Sequence, residues 1–162
     1  MSLSYSLFPS PVGELLLTAT DTALTAVYFP GSRSPIPWVE GWVGGVPNDV
    51  LDLTQRQLTE YFNRKRTSFG VPLDPSGTDF EHRVWNALRR IPYGTTTSYG
   101  RIARQLGDVK ATRAVGAANG KNPIPIIVPC HRVIGANGDL TGFGGGLDRK
   151  RWLLEHEGAL LL

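Results

Sequence analysis

The chain has one cysteine, Cys130, in 162 residues, so no internal disulfide can form and no multi-cysteine zinc site can be built. Histidine is scarce as well: His82, His131 and His156 are the only three, too few to build a metal centre around, and neither a metal nor a cofactor is expected. No apolar run approaches the ~20 residues of a membrane-spanning helix. The opening residues Met1-Ser2-Leu3-Ser4-Tyr5 lack the charged region and apolar run of a secretory signal. These absences lead us to expect a soluble, cytoplasmic protein in a reducing compartment, with no membrane partner. A compact chain of this length buries roughly two-thirds of its unfolded surface, so it needs no covalent staple.

Charge of one sign is unevenly shared. Residues 1 to 81 carry 5 Lys/Arg against 9 Asp/Glu, whereas residues 82 to 162 carry 12 against 5. The half with the cysteine is therefore the basic half. Such an asymmetry is the usual footprint of a polyanionic partner, with a solvated basic face as the alternative.

The N-terminal pattern is β-like. Leu3 to Phe8, Glu14 to Thr20 and Ala23 to Phe29 are rich in Leu, Val, Thr and aromatics, and together predict a small antiparallel sheet. Pro30 to Pro47 is dense in Gly and Pro and predicts an irregular loop whose Trp38 and Trp42 pack back on the sheet. Asn48 or Asp49 then caps a helix running to about Lys65, with Leu51, Leu58, Tyr61 and Phe62 on its apolar face. Nothing here converges as acid, base or nucleophile, which suits a scaffold.

Val71 to Gly77 is rich in turn formers and marks a boundary, giving expected domains of residues 1–75 and 76–162. Thr78-Asp79-Phe80-Glu81 is a capping box opening a helix that ends before Pro92. Ser98 caps a helix from Tyr99 to Leu106, Gly107 turns the chain, and Asp108 caps a second helix from about Lys110 to Asn119. This is a helix-turn-helix pattern, although ordinary helical hairpins share its spacing. The second helix is nearly all small residues around Arg113, so it can approach another surface closely. A buried unpaired guanidinium would be costly, which argues against packing Arg113 in a core.

The Ile126-Ile127-Val128 run is continuous and β-branched, predicting a buried strand or extended segment stopped by Pro129. It would deliver Cys130 to an edge or a pocket floor. His131 and Arg132 follow at once, and either could favour a thiolate by proton transfer or charge, lowering a pKa that starts near ~8.5. A Cys-His dyad between neighbours requires a turn or a bridging water, and a buried structural cysteine is the alternative. Gly135 to Gly146 is glycine-rich with one aromatic, Phe143, suited to a planar ligand but without the spacing of a phosphate loop. Leu147 to Glu157 predicts a closing helix stopped by Gly158, and Glu157 could reach back to orient a histidine.

Pro129-Cys130-His131-Arg132-Val133, with Asn122-Pro123-Ile124-Pro125 before it and Gly142 to Gly146 and Leu153-Leu154-Glu155-His156-Glu157-Gly158 after it, closely resembles the methylated-DNA–protein-cysteine methyltransferases. The resemblance covers residues 78 to 158, and the N-terminal module less closely. It implies an α/β (α+β) fold: an N-terminal ribonuclease H-like sheet with a helix, and a C-terminal helical domain with a winged helix-turn-helix. The implied partner is double-stranded DNA bound through its minor groove, by a protein that is monomeric in solution, with cooperative assembly on DNA left open. The implied reaction is irreversible, single-turnover transfer of the alkyl group of an extruded O6-alkylguanine, or O4-alkylthymine, to the cysteine.

Carried over residue by residue, the resemblance implies Cys130 as nucleophile, His131 as its base through water, and Glu157 as the group fixing the histidine tautomer. Asn122 would brace the turn before the cysteine. Arg113 would enter the base stack, and Tyr99 would rotate a phosphate and protonate the departing guanine. Gly100 and Ala136 would contact phosphates through backbone amides. Phe143, Gly144 and Val133 would line the base and alkyl pocket with Cys130. Phe143 stands where relatives often have tyrosine and Gly144 where some have serine, so hydroxyl contacts are absent and a roomier pocket is expected. Two readings from other classes compete: a lesion-sensing DNA binder without transfer, whose cysteine is replaced by tryptophan, and a cysteine hydrolase.

Overall fold

The computed structural model describes residues 3–31 and 36–160. The chain divides into two compact units, Met1–Ser76 and Gly77–Leu162.

In the first unit, β1 (Ser4–Ser10), β2 (Gly13–Ala19) and β3 (Leu24–Tyr28) form antiparallel pairs, with Ser4 opposite Ala19 and Leu16 opposite Tyr28. The sheet order is β3-β2-β1-β4, and β4 (Val43–Gly44) lies parallel to β1. That fourth strand falls inside the stretch expected to be irregular. It is two residues long, between Trp42 and Gly45, so no alternation could announce it. Residues 32–35 of the same stretch lie outside the described residues. Trp38 packs edge-on against Tyr5 at 5.4 Å, and Trp42 lies 6.4 Å from Tyr28, so both tryptophans do return to the sheet.

Helix α1 (Asp49–Phe62) begins as expected, with the Asn48 side chain accepting from the Leu51 amide. It ends at Phe62, three residues before Lys65, and Arg64 just beyond its cap adopts a left-handed φ of 62°. Its Leu51, Leu58 and Tyr61 are buried, as is the central strand from Leu15 to Ala19.

In the second unit, α2 (Asp79–Leu88) opens with both halves of the capping box: Glu81 N–H donates to Thr78 Oγ1 and Thr78 N–H to Glu81 Oε1. β5 (Thr97–Ser98) leads into α3 (Tyr99–Gln105), whose cap is Ser98. Gly107 turns at φ 83°, a conformation that favours glycine. A 3-10 turn, Val109–Ala111, is capped by Asp108 before α4 (Thr112–Gly120), so the second helix of the pair starts two residues later than its pattern suggested. Trp85 on α2 donates to the Ala118 carbonyl on α4 at 2.9 Å, tying the helices together. β6 (Val133–Ile134) pairs in parallel with β5, and α5 (Leu147–His156) closes the unit with Gly158 at φ 76° as its stop.

The expected strand at Ile126–Val128 is absent. All three residues are buried, but the chain turns there: the Val128 amide donates to Ile124 O at 2.9 Å, and Ile126 has φ +73°. Continuous burial is common to a core strand and a packed turn, and apolar composition alone does not separate them. A β-branched residue in left-handed backbone is strained by about 1–3 kcal/mol, so its surroundings must hold it there.

Candidate active site

Asn122 is what holds that turn. Its Nδ2 donates to Val128 O at 2.8 Å and its Oδ1 accepts from the Ile124 amide at 3.0 Å, closing the loop from both sides. The chain then enters a 3-10 turn, Cys130–Arg132, whose three side chains are buried. Successive residues in such a turn point about 120° apart. Cys130 and His131 therefore diverge.

Burial pushes the Cys130 thiol up to about 11, against the weaker opposing pull of the Asn122 side chain and then of Lys150. The resting sulfur is a protonated thiol, not the charge-stabilised thiolate expected from its two basic neighbours. Arg132 faces elsewhere. Its Nε donates to Glu157 Oε1 at 2.8 Å, its Nη2 to Glu157 Oε2 at 3.1 Å and its Nη1 to Ile91 O at 2.7 Å, with the guanidinium over the Tyr93 ring.

His131 Nε2 lies 2.8 Å from Glu157 Oε2. Burial raises the Glu157 carboxyl, but hydrogen bonds from His131 and Arg132 outweigh it and hold the group at about 2. Glu157 is thus an anion that only accepts, and Nε2 carries the proton. Nδ1 is left as the acceptor, and it is buried with no protein partner. Burial also lowers the His131 pKa, against the raising effect of Glu157, so the ring is neutral and able to take a proton.

The other expected residues lie around this centre. Tyr99 starts α3, and its hydroxyl shares a 3.0 Å hydrogen bond with Thr141 Oγ1. Gly100 sits in the first turn of α3, half-buried, and Ala136 is exposed in the turn closed by the Gly138 amide on Gly135 O. Val133 is fully buried, Phe143 is half-buried, and a side-chain carbon on Gly144 would meet nothing within 4 Å. Arg113 is exposed on α4 together with Thr112, Ala114 and Ala117, while Val115, Ala118 and Asn119 face inward. Cys130, His131, Glu157 and Asn122 are brought together; Arg113 and Ala136 lie on the outside of the unit, and Gly100 is half-buried at the start of α3.

Residues 79–159 match the family model for the 6-O-methylguanine DNA methyltransferase DNA-binding domain, and residues 3–75 that for the ribonuclease-like domain of the same proteins. The chain belongs to the 6-O-methylguanine DNA methyltransferase family. A methylated-DNA–protein-cysteine methyltransferase of Methanosarcina acetivorans is 49% identical over 96% of this chain and 98% of its own length, and one from Mycobacterium bovis is 49% identical over 96% and 92%. Among solved structures, the Mycobacterium tuberculosis O6-methylguanine methyltransferase superposes with a TM-score of 0.88 at 48% identity, covering 97% of this chain and 93% of that one. A structure of the Mycobacterium tuberculosis protein in complex with DNA gives a TM-score of 0.87 at 49% identity, covering 96% and 93%.

Two functional candidates in this methyltransferase escaped the sequence reading. Lys150 has 0% exposure and its Nζ donates to Val133 O and Thr141 O, both at 2.6 Å. Burial lowers its pKa to about 8. A lysine on an otherwise charged helix, Asp148-Arg149-Lys150-Arg151, carries no signal that it alone turns inward. Asn119 carries only the signal of a helix end in the sequence, yet it is 4% exposed, with Nδ2 3.5 Å from Cys130 O and its Oδ1 unpartnered. Among the described residues no group of three or more His, Cys, Asp or Glu could hold a metal ion, and no helix is long and apolar enough to cross a membrane.

Proposed function

We propose that this protein repairs DNA by moving an alkyl group from O6 of a damaged guanine to its own Cys130. The observation that carries the reading is the fixed tautomer of His131: Glu157 holds Nε2–H, which leaves Nδ1 as a buried base on the residue that follows a thiol that burial keeps protonated. A water between Cys130 and His131 relays the proton, since adjacent residues of a 3-10 turn do not face each other. The sulfur attacks the alkyl carbon, an S–C bond forms as the C–O6 bond breaks, and the Tyr99 hydroxyl supplies the proton that lets guanine leave. The product is a thioether on Cys130. With no group to remove it, each molecule acts once.

Double-stranded DNA is engaged by the C-terminal domain, residues 76–162, while residues 1–75 serve as scaffold. Support comes from the basic balance of residues 82–162 and from the exposed face of α4, where Ala114 and Ala117 leave the backbone free to enter a groove only ~6 Å wide. Arg113 on that face fills the gap left by the extruded base, Gly100 and Ala136 donate amides to phosphates, and Phe143, Gly144 and Val133 wall the alkyl group. The protein acts as a monomer in the cytoplasm, where reducing conditions keep the single cysteine a thiol.

The test is intact-protein mass after incubation with duplex DNA carrying O6-methylguanine, with peptide mapping and a Cys130→Ser control. A gain of one methylene per molecule, located on Cys130 and absent in the control, is expected. Tight binding to the lesion with no gain in mass would place the protein among lesion sensors.

A further inference from the structure

His131 and Arg132 leave one short turn in different directions and meet again on one carboxylate. His131 Nε2 lies 2.8 Å from Glu157 Oε2, while Arg132 closes a fork on the same group, Nε to Oε1 at 2.8 Å and Nη2 to Oε2 at 3.1 Å. Both neighbours therefore share Oε2. The guanidinium is fixed from behind as well: Nη1 donates to Ile91 O at 2.7 Å, its central carbon lies 5.7 Å from the centre of the Tyr93 ring, and the residue is 5% exposed.

A carboxylate alone would be a poor partner for a histidine that has to act as a base. Left as a buried anion beside the ring, it favours the imidazolium, whose Nδ1 carries a hydrogen and accepts nothing. Neutralised by burial, it becomes an acid that donates to Nε2 and leaves the ring proton on Nδ1. Either way Nδ1 is occupied. A second, permanent cation on the carboxylate prevents both outcomes, and arginine keeps its charge at any physiological pH. The Glu157–Arg132 pair is neutral as a unit, so the ring gains little by taking up a charge of its own.

The groups around the ring agree with this. Burial lowers the His131 pKa most, Glu157 raises it, and Arg132 and then Lys150 lower it again. The turn packs against α5 and α2. Besides Lys150, α5 carries Glu155, and His156 stacked on Trp152 at 4.8 Å. The buried residues of α2 and α4 are apolar apart from Asn119, and none of them titrates.

We infer that Arg132 is a positioning residue for alkyl transfer: it neutralises Glu157, so that His131 waits with Nδ1 open to receive the cysteine proton. This deepens the alkyl-transfer reading and rests on it. Cys130, His131 and Arg132 then serve as proton donor, proton acceptor and counter-charge from three consecutive positions.

The experiment follows His131 by nitrogen-15 NMR over the range of about pH 5 to 8 in which histidine titrates, in wild type, Arg132→Gln and Arg132→Lys. Single-turnover transfer from duplex DNA carrying O6-methylguanine is measured over the same range. Wild-type His131 is expected to stay neutral, with its proton on Nε2, down to below the ordinary value of ~6.5, and the transfer rate to stay level with it. In Arg132→Gln the ring is expected to titrate roughly one pH unit or more higher, with the acid limb of transfer moved equally and the rate recovering at high pH. Arg132→Lys, which keeps the charge and loses the fork, is expected to leave that limb near its wild-type position. A loss of rate that is uniform across pH, with His131 titrating as in the wild type, would show a structural brace and overturn the assignment. So would a wild-type His131 that is an imidazolium at neutral pH or holds its proton on Nδ1, an outcome that needs no variant to fold. Wild-type protein that transfers nothing at any pH would instead remove the alkyl-transfer reading beneath, and the ring titration tells the two failures apart.

Discussion

Glu157 Oε2 lies 2.8 Å from His131 Nε2, and neither side chain has any exposure to solvent. A carboxylate in that position selects one histidine tautomer. Glu157→Gln offers an amide that can donate instead of accept, which moves the ring proton to Nδ1 and removes the base. Single-turnover transfer should fall on the order of 10³-fold or more. The variant also strips the charge partner from buried Arg132, so stability should drop by about 3–5 kcal/mol, read from urea unfolding.

The same pair sets the acid limit of the fold. Burial pushes His131 below its ordinary value, so below pH ~6.5 the unfolded chain binds a proton there that the folded chain does not. Glu157, held at about 2, contributes stability that is complete above its unfolded pKa of ~4.3 and is lost as pH falls through the folded value. Both effects have one sign. Urea midpoints should decline in two stages from pH 6.5 downward, the lower stage worth about 3 kcal/mol. That lower stage should flatten in Glu157→Gln.

Lys150 joins the cysteine segment to the glycine-rich loop through two carbonyls, Val133 O and Thr141 O. Lys150→Met leaves both acceptors unmet, and the melting temperature should fall by roughly 2–10 °C. Limited proteolysis should then cut faster between residues 135 and 146 than it does in the wild type. Because Tyr99 is bonded to Thr141, transfer should slow as well.

Arg113 is exposed on α4 and should matter only when a base has to leave the stack. Extrusion costs a few kcal/mol, and a stacked guanidinium offsets part of it. Arg113→Ala should slow transfer from duplex DNA by roughly 10-fold or more while leaving transfer from free O6-methylguanine nearly unchanged. Equal loss on both substrates would exclude an extrusion role.

Much of this was legible because the decisive signals are local. Asn48, Thr78 and Ser98 cap where their sequence neighbourhoods indicate, since a cap depends on residues within one turn, whereas Asp108 caps a 3-10 turn and not the helix expected after it. β4, the β5–β6 pair and the reversal at Ile126 were not legible, because two-residue ladders and a buried turn are fixed by partners far along the chain. In the site, Cys130, His131 and Glu157 stand out in the sequence itself and the family resemblance supplies their roles, whereas Lys150 and the true partner of Arg132 are not legible there. Which member of a charged helix faces inward, and which carboxylate an arginine meets, are tertiary facts.

The burial of Cys130 has a meaning for the lifetime of the protein before it meets damage. A thiol held at about 11 is almost entirely protonated in the cell, and peroxides and soluble electrophiles react with thiolates. A molecule that can react only once would be useless if stray oxidants consumed it while it waited. Keeping the sulfur buried and protonated until His131 draws off its proton works as a safety catch, and the reagent keeps its shelf life.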